Sequence, residues 1–156
     1  EAQLDRFLMK ISIGYPNKSY EIEILKKHSQ IKDLSQITPV ASAEDIIIMQ
    51  ELVDSIKVHE DIIDYVVSIA NTTRIYEDLR LGASPRASID LLKAAKAMAF
   101  VKGRAYVIPD DVKTMTLPVL GHRLIMSSEA RIGRKTIEDI LKGILNRVYV
   151  PVIVNE

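Results

Sequence analysis

The chain contains no cysteine in 156 residues. That excludes disulfides, thiolate metal sites and cysteine nucleophiles together, and it suits a reducing compartment. No apolar run approaches the length of a membrane span, and no stretch reads as a secretory hydrophobic region. Aromatic residues make up only 5%, without a cluster on which bases could stack and without a basic run. A nucleic-acid surface is therefore not favoured. The six glycines, at 14, 82, 103, 121, 133 and 143, never form the phosphate-binding pattern G-x-x-x-x-G-K-S/T. Nor does a hydrophobic strand end in adjacent acids that could hold Mg²⁺. Alone, this chain is not expected to hydrolyse a nucleotide. His28, His59 and His122 are scattered, with no second ligand at metal spacing, and read as ordinary surface or partly packed residues.

What is present is an ordinary globular composition, 47% hydrophobic and 27% charged. The length suits one domain, or one domain with an appendage. Net charge is zero but unevenly spread. Residues 1–78 carry 8 Lys and Arg against 14 Asp and Glu, or −6; residues 79–156 carry 13 against 7, or +6. An anionic ligand or an acidic neighbouring surface is plausible on the basic half. The chain starts at Glu1, without methionine, and is expected to be a piece cut from a longer protein.

Hydrophobic periodicity predicts a mainly helical fold. Glu1–Arg6 reads as a helix end or turn. Phe7–Tyr15 alternates and predicts a strand, one that would need a sheet elsewhere to pair with. Ser19–His28 predicts a helix, and Gln30–Ala43 a connecting loop. A variant capping box at Ser42–Asp45 starts a helix with Ile46, Met49, Val53 and Ile56 on one face. Glu60–Arg74 is expected to bury Ile62, Ile63, Val66, Val67 and Ala70. Pro85–Lys102 presents Leu91, Leu92, Ala95, Met98 and Ala99, and Gly103 terminates it. A fourth helix begins at Pro109, with Asp110 and Asp111 complementing its dipole, and is expected to kink or end at Pro118. Arg123–Ala130 is a candidate short strand. Thr136–Val148 is a last helix, capped by Thr136 and Asp139 and facing inward with Ile137, Ile140, Leu141, Ile144 and Leu145. Arg131, Arg134 and Lys135 around Gly133 read as a solvated turn.

One stretch carries candidate chemistry: Leu81-Gly82-Ala83-Ser84-Pro85-Arg86-Ala87. Ser84 is a good helix cap, and Pro85 suits the first helical position. Arg86 then lies in the first turn, where the helix dipole disfavours a cation. Either it makes a surface pair, or an anion sits in front of the helix, held by the guanidinium and the backbone amides. Gly82 would permit the turn that aims the helix.

Leu81–Arg104 (LGASPRASIDLLKAAKAMAFVKGR) with Ala105–Lys113 (AYVIPDDVK) resembles the sensor-2 helix and following helix of the MoxR family of AAA+ ATPases. Glu1–Ile11 (EAQLDRFLMKI) resembles that family's arginine-finger segment. GASPRA is fairly specific; LDRF is shared more widely among AAA+ proteins. The resemblance implies that residues 1–28 end an ATPase core, as finger segment, last strand and linking helix, and that 29–156 form a helical lid domain with a minor β element near the C-terminus. It implies a sensor-2 role for Arg86, supported by Gly82, Ser84 and Pro85, and a finger role in trans for Arg6, whose alternative is a surface pair with Asp5. It also implies ATP as ligand, Mg²⁺ held by the missing core, and a cytoplasmic, usually hexameric homo-oligomeric ring. The implied work is chaperone-like remodelling of a client protein, often with a von Willebrand A domain partner. The alternatives are a nucleic-acid-associated AAA+ module and a stand-alone helical adaptor.

Overall fold

The computed structural model describes residues 3–28 and 37–152. These divide into two units. One is built from residues up to Lys10 together with those from Gln50 onward; the other is Ile11–Met49. Among the described residues there are seven α-helices and a two-stranded antiparallel sheet, so the mainly helical class expected from periodicity is the one observed.

Ile11–Met49 contains α1 (Lys18–His28) and the first half of α2 (Ala43–Ser55). Local capping accounts for both helix starts. The Asn17 side chain accepts from Tyr20 N at 3.0 Å. At α2, Ser42 Oγ accepts from Asp45 N at 3.1 Å while Asp45 Oδ2 accepts from Ser42 N at 2.8 Å, the reciprocal cap expected from the sequence. Apolar residues here are not covered. Ile46 and Met49 are exposed, against the expectation of an inward face. Ile11, Ile13 and Tyr15 are exposed too, and no strand forms over Phe7–Tyr15. Alternation selects which side chains share a face; a strand also needs a partner ladder, and none lies beside this segment among the described residues. Much of the expected loop 30–43 lies outside the described residues.

The larger unit packs α3 (Glu60–Ile75), α4 (Pro85–Val101), α5 (Pro109–Leu120) and α7 (Ile137–Arg147) around one core. Ile62 and Ile69, Leu91 and Ala95, Val112 and Val119, and Ile140 and Ile144 are fully enclosed. Burying each large aliphatic side chain contributes about 1.5–3 kcal/mol. Ala87, Ala94, Ala95 and Ala99 let α4 lie close against α5, its most extensive helix contact. On α3 the buried stripe is Ile62, Tyr65, Val66, Ile69, Ala70 and Thr73. Ile63 and Val67, expected inside, are exposed: both runs II and VV straddle the face, and packing chose the members that align with Ile69 and Thr73.

Gly103 ends α4 with φ +70°, the left-handed position expected of it. Pro118 does not break α5, which runs two residues further to Leu120. It lies in the last turn, where a missing N–H costs a single helical bond; its carbonyl accepts from Lys10 N at 2.8 Å. The candidate strand Arg123–Ala130 resolves into β2 (Ile125–Met126), which pairs with β1 (Leu79–Leu81), and a short α6 (Ser128–Ile132). In the basic turn that follows, Lys135 Nζ reaches Asp78 at 2.7 Å. Its hydrogen bond to Asp78 holds the ammonium pKa above its ordinary value.

Asp111 does more than complement a dipole. Its side chain is wholly buried, pairs with Arg104 at 2.5 and 2.7 Å, and accepts from Ile108 N at 3.0 Å. Burial pushes its carboxyl pKa up, but the Arg104 hydrogen bonds, the Ile108 amide and the charges of Arg104 and Lys102 outweigh it, so the pKa lies below the ordinary carboxylate value. The pair pins the α4–α5 connection.

Candidate functional site

The site begins at the N-terminus of α4. Ser84, in extended conformation, accepts from Ala87 N at 3.2 Å and so caps the helix, with Pro85 in its first turn. A hydroxyl can donate while it accepts, and Ser84 Oγ also donates to the Asp5 carboxylate, 3.0 Å from both oxygens. The cap residue thereby ties the helix start to the 3-10 turn Leu4–Arg6, nearly eighty residues earlier.

Gly82 is used differently from the expected turn-maker. Its φ is not positive; instead a Cβ at this position would meet the α3 backbone at Arg74 and Thr73, 2.6–2.7 Å away. Close approach is the requirement. Next to it, Ala83 N donates to Thr73 Oγ1 and Ala83 O accepts from Arg74 Nε, both at 2.8 Å. The segment leading into α4 is therefore locked onto the end of α3, which fixes where Arg86 emerges.

Arg86 is more than half exposed, its Nε 3.8 Å from Asp90 Oδ2 one turn on. Its Nη2 donates to the Arg6 carbonyl over 3.5 Å, a long contact. Arg6 is exposed, and its guanidinium makes no hydrogen bond or ion pair among the described residues. The surface pair between Asp5 and Arg6 is not formed, because Asp5 is taken by Ser84 and by Arg123. The segments carrying the two arginines singled out by separate motifs thus meet, through the Arg6 carbonyl and through Asp5. Guanidinium groups are donors only, and an exposed fork beside a capped helix start, as Arg86 presents, suits phosphate oxygens.

Arg123 was not picked out from the sequence. Its side chain is 1% exposed and lies at the centre of this region. Nη2 donates to Asp90 Oδ2 at 2.7 Å, to Phe7 O at 2.6 Å and to Leu8 O at 3.3 Å. Nη1 lies 3.5 Å from Asp5 Oδ1, an ion-pair distance without hydrogen-bond alignment. His122 Nε2 sits 3.0 Å from the same Phe7 carbonyl, so His122 belongs to the site's support. His59 caps α3 through Nδ1, while the His28 side chain lies outside the described residues. The signal that would have found Arg123 is a lone cation within the apolar stretch Leu117–Met126, which demands buried partners. A cavity of about 750 Å³ opens beside the group, lined in part by Asp5, Arg74, Arg80, Ser84, His122 and Arg123.

Among the described residues no cluster of three or more His, Asp or Glu could hold a metal ion, and no helix is long and apolar enough to cross a membrane. Residues 71–144 match the AAA lid domain family. The chain is 39% identical over 152 residues to YeaC of Bacillus subtilis, an uncharacterized protein, covering 97% of this chain and 48% of that one. It is 37% identical over 160 residues to the chaperone MoxR1 of Mycobacterium tuberculosis, covering 97% and 42%. A crystal structure titled a "putative ATPase" from Cytophaga hutchinsonii superposes with a TM-score of 0.86 at 31% identity, over 97% of this chain and 48% of that one. The chain thus spans about half the length, or less, of the curated relatives it matches.

Proposed function

Since this chain carries an AAA lid domain and belongs with the MoxR-like AAA+ proteins, we propose that it is the lid portion of an ATPase in which Arg86 and Arg6 both address nucleotide phosphate. On this reading residues 1–28 end the ATPase core and 29–156 form the lid. ATP would supply the scissile phosphoanhydride, and the resemblance assigns Mg²⁺ to the core rather than to any residue here. Arg86 acts as the sensor-2 residue, its fork presented from a helix N-terminus that itself favours negative charge. Arg6 acts as the finger, completing a neighbouring subunit's site and stabilising the charge that develops in phosphoryl transfer. Gly82, Ser84 and Pro85 hold Arg86 in place.

The observation that carries this reading is the convergence of the two motifs: Ser84 bonded to Asp5, and Arg86 to the Arg6 carbonyl. The contact between the two segments also favours both arginines serving the same nucleotide. Phosphate at Arg86 would compete with Asp90 for its guanidinium, so the lid's preferred position would follow the phosphate state. The assembly is then a homo-oligomeric ring, hexameric and cytoplasmic. Its work is chaperone-like maturation of a client protein, with a von Willebrand A domain partner. That MoxR1 is named a chaperone supports the direction of this reading.

The test is steady-state ATP turnover by the longer protein that contains this chain, comparing wild type, Arg6→Ala and Arg86→Ala, with size exclusion to monitor assembly. Arg6→Ala is expected to lower kcat by about 10³-fold or more, and Arg86→Ala to lower turnover as well, with assembly retained. Wild-type turnover in both variants would return the chain to a packing or adaptor role.

A further inference from the structure

Resting on the reading of Arg6 as the finger, we propose that Arg123 is the positioning residue for Arg6, and that Asp90 places Arg123 and Arg86 together. A finger works only if its guanidinium arrives within a fraction of an ångström of the developing charge. Arg6 cannot secure that by itself: it lies in a single 3-10 turn of three residues, is exposed, and no strand follows it. What holds it is on either side. The preceding residue, Asp5, faces Arg123 Nη1 at 3.5 Å. The carbonyls of the two following residues, Phe7 and Leu8, accept from Arg123 Nη2 at 2.6 and 3.3 Å. One buried guanidinium therefore brackets the finger along the chain.

The same guanidinium is anchored in the lid. Asp90, on α4, accepts from Arg123 Nη2 at 2.7 Å and lies 3.8 Å from Arg86 Nε. Asp90 is one turn beyond Arg86, so a carboxylate on the sensor helix also sets the clamp on the finger. The charges balance across this group, with Asp5 and Asp90 against Arg86 and Arg123. Arg6 is left as the cation without a carboxylate of its own. The fork matters because its two nitrogens face different partners, Nη2 the two carbonyls and Asp90, Nη1 the Asp5 carboxylate, and the single nitrogen of an ammonium does not reproduce both. The arrangement ties the finger segment to α4 through one buried side chain.

The experiment is a double-mutant cycle on ATP turnover in the full-length protein, using Arg123→Gln, Arg6→Ala and their combination, with Arg123→Lys alongside. Arg123→Gln is expected to lower kcat about 10²-fold while KM for ATP changes less than about twofold, with assembly intact. The double variant is expected to be no slower than Arg6→Ala alone, because a residue that acts through Arg6 has nothing left to position. Arg123→Lys keeps the charge without the fork and is expected to fall between wild type and Arg123→Gln. Should Arg123→Gln fail to fold, Arg123→Lys carries the same cycle. Additive losses in the cycle, or full turnover in the Arg123 variants while Arg6→Ala is inactive, would overturn this inference alone. An active Arg6→Ala variant would instead overturn the finger reading on which it rests.

Discussion

Asp111 and Arg123 illustrate how much depends on single buried charges. Asp111 is held below its ordinary carboxylate pKa by Arg104 and the Ile108 amide, against the opposing effect of burial. A depressed carboxyl stabilises the fold fully above its unfolded value, near 3.8, and that contribution is lost as pH falls through the folded value below it. Asp111→Asn is therefore expected to cost about 3 kcal/mol at pH 7, the scale for breaking a buried pair. The gap from wild type should begin to narrow below about pH 4 and be smaller at pH 3 than at pH 7, which urea unfolding at the two pH values would measure. A gap that stays constant with pH would show that the pair does not act through its charge. The sequence places Asp111 correctly in a first helical turn, but its partner seven residues earlier is invisible there. Nothing local says that the α4–α5 connection folds back over it.

At the scale of elements, the caps were legible and the faces less so. Ser42 with Asp45, Ser84, and Thr136 with Asp139 all cap as expected, because each needs only residues three positions apart. The choice of Ile62 and Ile69 over Ile63 and Val67 on α3 depended on what packed against them. Gly82 belongs to this scale too. It was legible as a special position, but its reason, close approach to the α3 backbone, exists only once the elements meet. Gly82→Ala must displace that backbone, and a destabilisation of about 1–3 kcal/mol is expected, read as a lower denaturation midpoint. An unchanged midpoint would mean that the β1–α4 segment can lift from α3 without cost.

For the whole molecule, the contrast is between a packed unit and one without a core. Every described residue whose exposure is assigned in Ile11–Met49 is exposed, whereas α3, α4, α5 and α7 share fully buried side chains. Local opening costs little where few apolar contacts must be broken. Amide hydrogen exchange in this chain should therefore be fastest in α1 and the first turns of α2, and slowest around Ile69, Leu91, Val119 and Ile144. Protection of α1 equal to that of α4 would contradict this division. The uncovered apolar residues also explain why the expected strand over Phe7–Tyr15 failed. Its alternation was real, but strand structure is a property of pairs.

Local sequence was enough for the helical class and most helix starts and stops, and it nominated Arg6 and Arg86 as candidates. Those features rest on interactions between residues three or four positions apart, or on motifs that survive as strings. Only the tertiary structure decided that Asp5 binds Ser84 and that Arg123 brackets Arg6 while sharing Asp90 with Arg86. Except for Arg86 and Asp90, one helical turn apart, those partners lie 33 to 116 residues apart. Bringing them together requires closing long loops, and the free energy for that closure comes from the helix packing around the core rather than from the site itself.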